Sequence, residues 1–183
     1  MAVTLKQVET VATYPDAPTG LSTEAAALDP VFIWQRIEAY VCHRFTARAV
    51  VWTVEGPGDW EPPLIPATVN AAQVWAGEAW STVELSPAPD GFRLVSDGPY
   101  RITATVGGGT VPAAMSEAFR RLAEYVSDGI KPSMHKGRSG ASSVNFSIGG
   151  DLSGSFSRNP AWMARAMINS GAADLLRPYR RAT

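Results

Sequence analysis

Residues 98–126, GPYRITATVGGGTVPAAMSEAFRRLAEYV, change their period in mid-course. In Tyr100–Val106 the side chains alternate. Ile102, Ala104 and Val106 share one face while Arg101, Thr103 and Thr105 take the other, which predicts a strand. Past the Gly107-Gly108-Gly109 joint, Met115, Ala118, Phe119, Leu122 and Val126 recur at helical spacing behind Pro112. Asp128-Gly129 and Pro132 are expected to end that helix. A strand followed directly by a helix, each with one apolar face, points to the α+β class. The three glycines lack the GxxxxGK[ST] spacing and the lysine of a phosphate loop.

Upstream, Ala49–Glu55 (AVVWTVE) is β-branched and aromatic, a strand by propensity. Glu61–Pro66 (EPPLIP) is extended by its prolines. Thr68–Trp75 alternates, with Val69, Ala71, Gln73 and Trp75 on one side. Ser81–Leu85 and Phe92–Val95 follow between Pro-, Gly- and Asp-rich turns, so residues 49–106 read as an antiparallel β unit. Before it, Asp29-Pro30 is a cap-plus-proline start, and Trp34, Ile37, Val41 and Phe45 predict a helix over 31–46. A short helical turn is expected within Ser22–Leu28. Residues 1–20 are polar, carry Pro15, Pro18 and Gly20, and have no period; they read as an extended arm.

Downstream, residues 131–158 hold 8 serines and 5 glycines, too long a structureless loop for a compact domain. This excursion reads as ordered by something else or not ordered, with Val144–Ile148 able to pair as an edge strand. Asn159-Pro160 repeats the cap signature and opens a third helix over Ala161–Asn169, with Gly171 placed for a left-handed C′ position. The resulting division is an arm over 1–28, a core over 29–130, the excursion over 131–158, and a C-terminal helix with a basic tail over 159–183. The expected fold is a small helical bundle with an inserted antiparallel β unit and extended N- and C-terminal arms.

The chain has 183 residues, a net charge of −1, 45% hydrophobic and 18% charged residues, which is a globular composition with room for about one domain. No apolar run is long enough for a membrane span, and the first ten residues lack the apolar core of a signal peptide. The near-neutral total hides an asymmetry: residues 1–130 carry a net −7 and residues 131–183 a net +6. An acidic body with a basic end reads as an interaction tail, or more plainly as a solvated one.

Catalytic constellations are missing. A single cysteine, Cys42, excludes an intrachain disulfide and a thiolate metal cage. Cys42 and His43 are adjacent on the expected helix and do not face each other, so Cys42 reads as a small apolar residue. His135 falls in the excursion beside Lys131, Lys136 and Arg138. Glu117 and Glu124 are expected to be solvated or paired with Arg120 and Arg121. No HExxH, GxSxG, CxxC or DxD cluster occurs, so no enzyme, cofactor or metal site is expected. Six tryptophans stand at 34, 52, 60, 75, 80 and 162. Trp60, in a proline-rich loop, either folds onto its own sheet or docks on another subunit. Trp162 has little of its own domain in reach.

The order of these segments is specific: a helix ending AYVCHRF, the strand AVVWTVE, PPLIP, a β unit closing GPYRITATVGGG, the helix VPAAMSEAFRRLAEYV, the excursion, and NPAWMARAMINSGAADLLRPYRR. It resembles the head–tail connector, or adaptor, proteins of long-tailed phages and gene transfer agents. The closing Ser170, Gly171, Ala172, Leu175, Leu176, Pro178, Tyr179 and Arg180 resemble the gene-transfer-agent branch most. The resemblance spans roughly residues 30 to 181.

It implies a structural protein that forms a ring, a dodecamer by family habit, beneath the portal protein. The ring extends the DNA channel, lets DNA pass without specific binding, and offers a landing surface to a neck, stopper or tail-terminator protein. It implies location in the neck of a phage-like particle, and in the cytoplasm of the producing cell before assembly, with no membrane partner. The expected portal interface is Trp162, Met163, Met167, Leu175, Leu176, Arg177, Pro178, Tyr179, Arg180 and Arg181. Lys131, Lys136, Arg138 and Trp60 are expected at the channel or an inter-subunit contact. On this view the tail is apolar because a foreign groove buries it, and deleting everything from Asn159 onward should leave the core folded. The alternative is a small nucleic-acid-binding module that stacks bases on its tryptophans and holds phosphates with its basic tail, against which the acidic body argues.

Overall fold

The structure, a computed structural model, describes residues 2–11, 13–130, 143–148, 152–157 and 161–180. It is an α+β chain whose contacts divide into two interleaved units: one from residues 1–15, 36–111 and 179–183, the other from 16–35 and 112–178. This replaces the four consecutive segments expected from composition. Both chain ends belong to the first unit, because pairing and packing, not sequence order, decide where a segment resides.

The first unit is built on eight strands: β1 (Val3–Thr10), β2 (Arg48–Glu55), β3 (Gly58–Trp60), β4 (Ala67–Ala76), β5 (Ala79–Thr82), β6 (Ser86–Ala88), β7 (Gly91–Leu94) and β8 (Pro99–Val106). Five of them form an antiparallel sheet in the order β1-β2-β8-β4-β5, and three a smaller one in the order β3-β7-β6. The alternation read from the sequence of β8 holds: Ile102, Ala104 and Val106 are fully buried. They join Val50, Trp52 and Val54 of β2 in the core. The Tyr100 hydroxyl, at the start of β8, accepts a 2.7 Å hydrogen bond from the Ser96 amide.

Three elements depart from expectation here. The N-terminal arm is not free: β1 pairs antiparallel with β2 from Val3↔Glu55 to Thr10↔Ala49, with a bulge between Thr4 and Lys6. Its missing period follows from an edge position that buries little apolar surface. In β4 a register shift between Val69 and Ala71 turns the second half over, so Ala72 is buried and Trp75 exposed; one extra residue inverts every later side chain. Finally, the helix expected over 31–46 is α2 (Pro30–Tyr40), and Val41–Thr46 leave it. There the backbone bonds to Ile65 (Arg44 amide to Ile65 carbonyl 2.9 Å, Ile65 amide to Cys42 carbonyl 3.1 Å). The Arg44 guanidinium takes the freed carbonyls of Glu38 and Val41 at 3.0 and 3.1 Å. A cation on the last carbonyls ends a helix as well as any glycine. The apolar spacing continued into this segment only because Val41 and Phe45 are buried by other means.

The second unit carries α1 (Thr23–Ala26), the first part of α2, α3 (Ala113–Ile130), the hairpin β9 (Ser143–Ile148) with β10 (Leu152–Ser157), α4 (Ala166–Asn169), α5 (Ala172–Leu176) and part of a final 3-10 turn, Arg177–Tyr179. The start expected at Asp29-Pro30 and the short turn expected within Ser22–Leu28 are present, while the start expected at Asn159-Pro160 lies outside the described residues. Asp29 accepts from the Val31 amide at 2.9 Å, and Ser22 caps α1 at the Ala25 amide, 3.2 Å away. On α3 the predicted stripe is buried, with Phe119 5.1 Å from the Trp34 ring. Gly129 does not end α3 but lies inside it. Of the third helix, expected over Ala161–Asn169, only Ala166–Asn169 is α-helical, and Gly171 does take the left-handed conformation, at φ 73°.

Candidate functional site

The resemblance directs attention to the tail. In the second unit its apolar residues have partners at home. Met167 and Leu176 are buried, Leu176 completely, and α4 and α5 both pack against α3. Trp162 lies against the same helix, its ring 6.2 Å from that of Tyr125. A Cβ on Gly129 would fall inside the Trp162 indole, so this glycine is a seat for the ring and not a helix stop. The expectation that these side chains wait for a foreign groove is therefore corrected for Met167, Leu176 and Trp162. The stripe of α3 read from the sequence is wide enough to receive them. Met163 and Leu175 are half-buried, Ile168 stands exposed, and Arg177 and Pro178 are exposed.

In the first unit the chain ends on a clasp. The Tyr179 carbonyl accepts from the Cys42 amide and from the Cys42 thiol, both at 3.2 Å. Its ring stands edge-on to His43 and Phe45, at 5.9 and 6.5 Å, and His43 stacks on Phe45 at 5.2 Å. Burial pushes the His43 pKa below its usual value. The Arg180 guanidinium covers the Tyr40 ring at 4.8 Å and is otherwise exposed. Arg181 lies outside the described residues, as do Lys131, Lys136, Arg138 and His135.

Of the two readings of Trp60, the one in which it folds onto its own sheet is observed, and its placement at a channel or inter-subunit contact is corrected: it is a core residue. Its ring meets Trp52 at 5.4 Å and its indole N–H donates to the Thr4 hydroxyl at 2.9 Å. Trp34 and Trp52 are likewise buried. Trp75 and Trp80 pair at 5.3 Å on the opposite sheet edge, with Arg101 over Trp80.

Sequence reading missed a buried ion cluster. Arg48 grips Glu38 at 2.6 and 2.9 Å, and Arg44 grips Glu9 at 2.9 and 3.2 Å; cross contacts of 3.7 Å link the pairs. Two arginines four apart after a helix were a signal in principle. Glu9, 35 residues away from Arg44, was not.

Among the described residues, the titratable side chains named in the sequence have other partners. Cys42 faces a carbonyl while His43 faces rings. Glu117 is held by Arg120 and Arg121 at 2.9 and 3.0 Å, and Glu124 accepts both Ser22 donors at 2.7 Å. Among the described residues no group of three or more His, Cys, Asp and Glu side chains is placed to hold a metal ion, and no helix is long and apolar enough to cross a membrane. An acid-rimmed groove of about 440 Å³ in the first unit is lined by Thr4, Asp59, Trp60, Glu61 and Asp90 among others. No family model, curated protein or solved structure matches the chain.

Proposed function

We propose that the chain is a structural head–tail adaptor of a phage-like particle of the gene-transfer-agent type. In this reading it forms a ring under the portal protein, extends the DNA channel, and joins capsid to neck and tail. The strands β2–β8 then stand as an insertion between α2 and α3 of the family's helical bundle.

The observation that carries this reading is how the closing motif is presented. In the second unit Leu176 is completely buried, and in the first unit the Tyr179 carbonyl is held by Cys42, so each is a fixed point of the closing motif. Arg177 and Pro178, which follow Leu176, and Arg180, which follows Tyr179, stand exposed. A cationic side chain next to a fixed point meets an acidic partner at less ordering cost than one on a loose tail. In this reading Arg177, Pro178, Arg180 and the exposed Ile168 are the residues that meet the portal, and the buried residues of the tail hold them in their own units. A ring needs heterologous contacts, one patch meeting a different patch on the next copy. The acidic N-terminal body and the basic C-terminal end supply opposite charge for that.

The nucleic-acid alternative has less to work with, since Trp34, Trp52 and Trp60 cannot stack on bases from the core. The test is capture of the purified chain on the portal protein. The intact chain is expected to bind, and R177E/R180E to bind at least tenfold more weakly with unchanged thermal stability. Equal binding by the variant overturns the assignment of Arg177 and Arg180. Quenching of tryptophan fluorescence by single-stranded DNA at moderate salt, without portal capture, overturns the adaptor reading.

A further inference from the structure

The strand β1 is held in an unusual way. Its outward side chains Val3, Leu5 and Val8 remain 57%, 60% and 48% exposed after docking, so little apolar burial keeps it in place. Three of its other side chains, Thr4, Gln7 and Glu9, are polar acceptors that each meet a donor from the core. Thr4 takes the Trp60 indole N–H at 2.9 Å, Gln7 the Trp52 indole N–H at 2.8 Å, and Glu9 the Arg44 guanidinium at 2.9 and 3.2 Å. Trp52, Trp60 and Arg44 are all buried. Donors in that position need partners, so the outer edge of β2 requires a strand with acceptors at these three places. As the edge strand, β1 can leave without breaking any other strand pairing.

The tether has a joint in the right place. Through Tyr14 the segment stays with the sheet: the Thr13 carbonyl accepts from Thr46 at 2.7 Å, and Arg48 covers the Tyr14 ring at 5.3 Å. At Thr19 it is held by the other unit, the carbonyl accepting from Arg120 at 2.7 Å. Between them lie Pro15, Asp16, Ala17 and Pro18, and the two units divide at Pro15/Asp16. A short joint beside a docked strand allows exchange between copies, since every docking contact is kept and only the joint changes.

We infer that β1 is exchanged, so that in the assembled protein the strand of one copy occupies the β2 edge of the next. The occupant is a second copy of this chain because the acceptors Thr4, Gln7 and Glu9 match donors spaced as in this sequence. A run of such exchanges in one direction closes into a ring, and for that closure the inference rests on the adaptor reading.

Val8 and Val51 oppose each other directly in the β1–β2 register, and opposed residues of an antiparallel pair are within disulfide reach. Two chains are prepared, V8C and V51C, each with Cys42→Ser, refolded together at high concentration and oxidised. A disulfide-linked heterodimer is expected, and the V8C/V51C chain is expected to give a ladder of linked oligomers on a denaturing gel. A double variant that yields only intrachain disulfides, with no heterodimer from the mixture, overturns the exchange. Light scattering on the same samples reads ring formation separately. Rings bearing only intrachain links reject exchange and leave the adaptor reading standing; interchain links without closed rings reject the ring and leave exchange standing.

Discussion

Arg48 and Glu38 meet through two hydrogen bonds, 2.6 and 2.9 Å long, with less than a tenth of either side chain exposed. Arg48 begins β2, and Glu38 sits near the end of α2. The pair thus fixes where the helix hands over to the sheet. Removing one partner leaves a buried charge without compensation. E38A is expected to lose about 3–5 kcal/mol in denaturant unfolding, and E38L/R48M much less than the sum of its single variants.

Gly129 and Trp162 form the second fixed point. G129A is expected to displace the indole and lose about 1–3 kcal/mol, with a red shift in tryptophan emission. Adding W162A should remove most of that extra loss, because the clash then has no second party. A double variant as unstable as the sum of the two single ones contradicts this seat.

Leu176 decides whether the tail belongs to the chain. Its side chain is completely buried, so L176A is expected to cost about 2–5 kcal/mol. Truncation from Asn159 should now broaden the unfolding transition and not leave the remainder untouched, since it strips α4 and α5 from α3. An unchanged melting curve for the truncated chain contradicts the packing described.

The Tyr179 clasp should respond to pH. Burial lowers the His43 pKa from the ordinary 6.5, so between the two values the opened clasp binds more protons than the closed one. The contribution is therefore complete above about pH 6.5 and falls as pH drops through the lowered value. Hydrogen exchange at the Cys42 amide, which donates to the Tyr179 carbonyl, should show reduced protection at pH 5 relative to pH 7.5. H43F keeps the ring stacking and should abolish the dependence.

The sequence was legible wherever one face of an element is buried and the other wet. The face of β8, the stripe of α3, the caps at Ser22 and Asp29, and Gly171 all follow from local rules. Two of the failures, β1 and Gly129, originate in distant partners, and the third in a local one. The residues of β1 show no period because their partners are indole and guanidinium donors 35 to 56 residues away. The helix over 31–46 stops early because Arg44 turns back on its carbonyls while Val41 and Phe45 stay buried. Gly129 resembles a helix stop because Trp162, 33 positions on, is invisible to a window centred on α3. Within the tail, the residue types were read correctly as apolar and cationic, but composition alone could not assign the apolar ones to α3.

On the adaptor reading the chain is a stoichiometric part of the neck. Mass spectrometry of purified, DNA-filled particles, calibrated against the portal protein, tests it most directly. The chain should be present in a one-to-one ratio to the portal and be lost from particles carrying R177E/R180E. Particles that contain the portal but none of this chain, or that carry it at the copy number of the capsid shell, contradict the account.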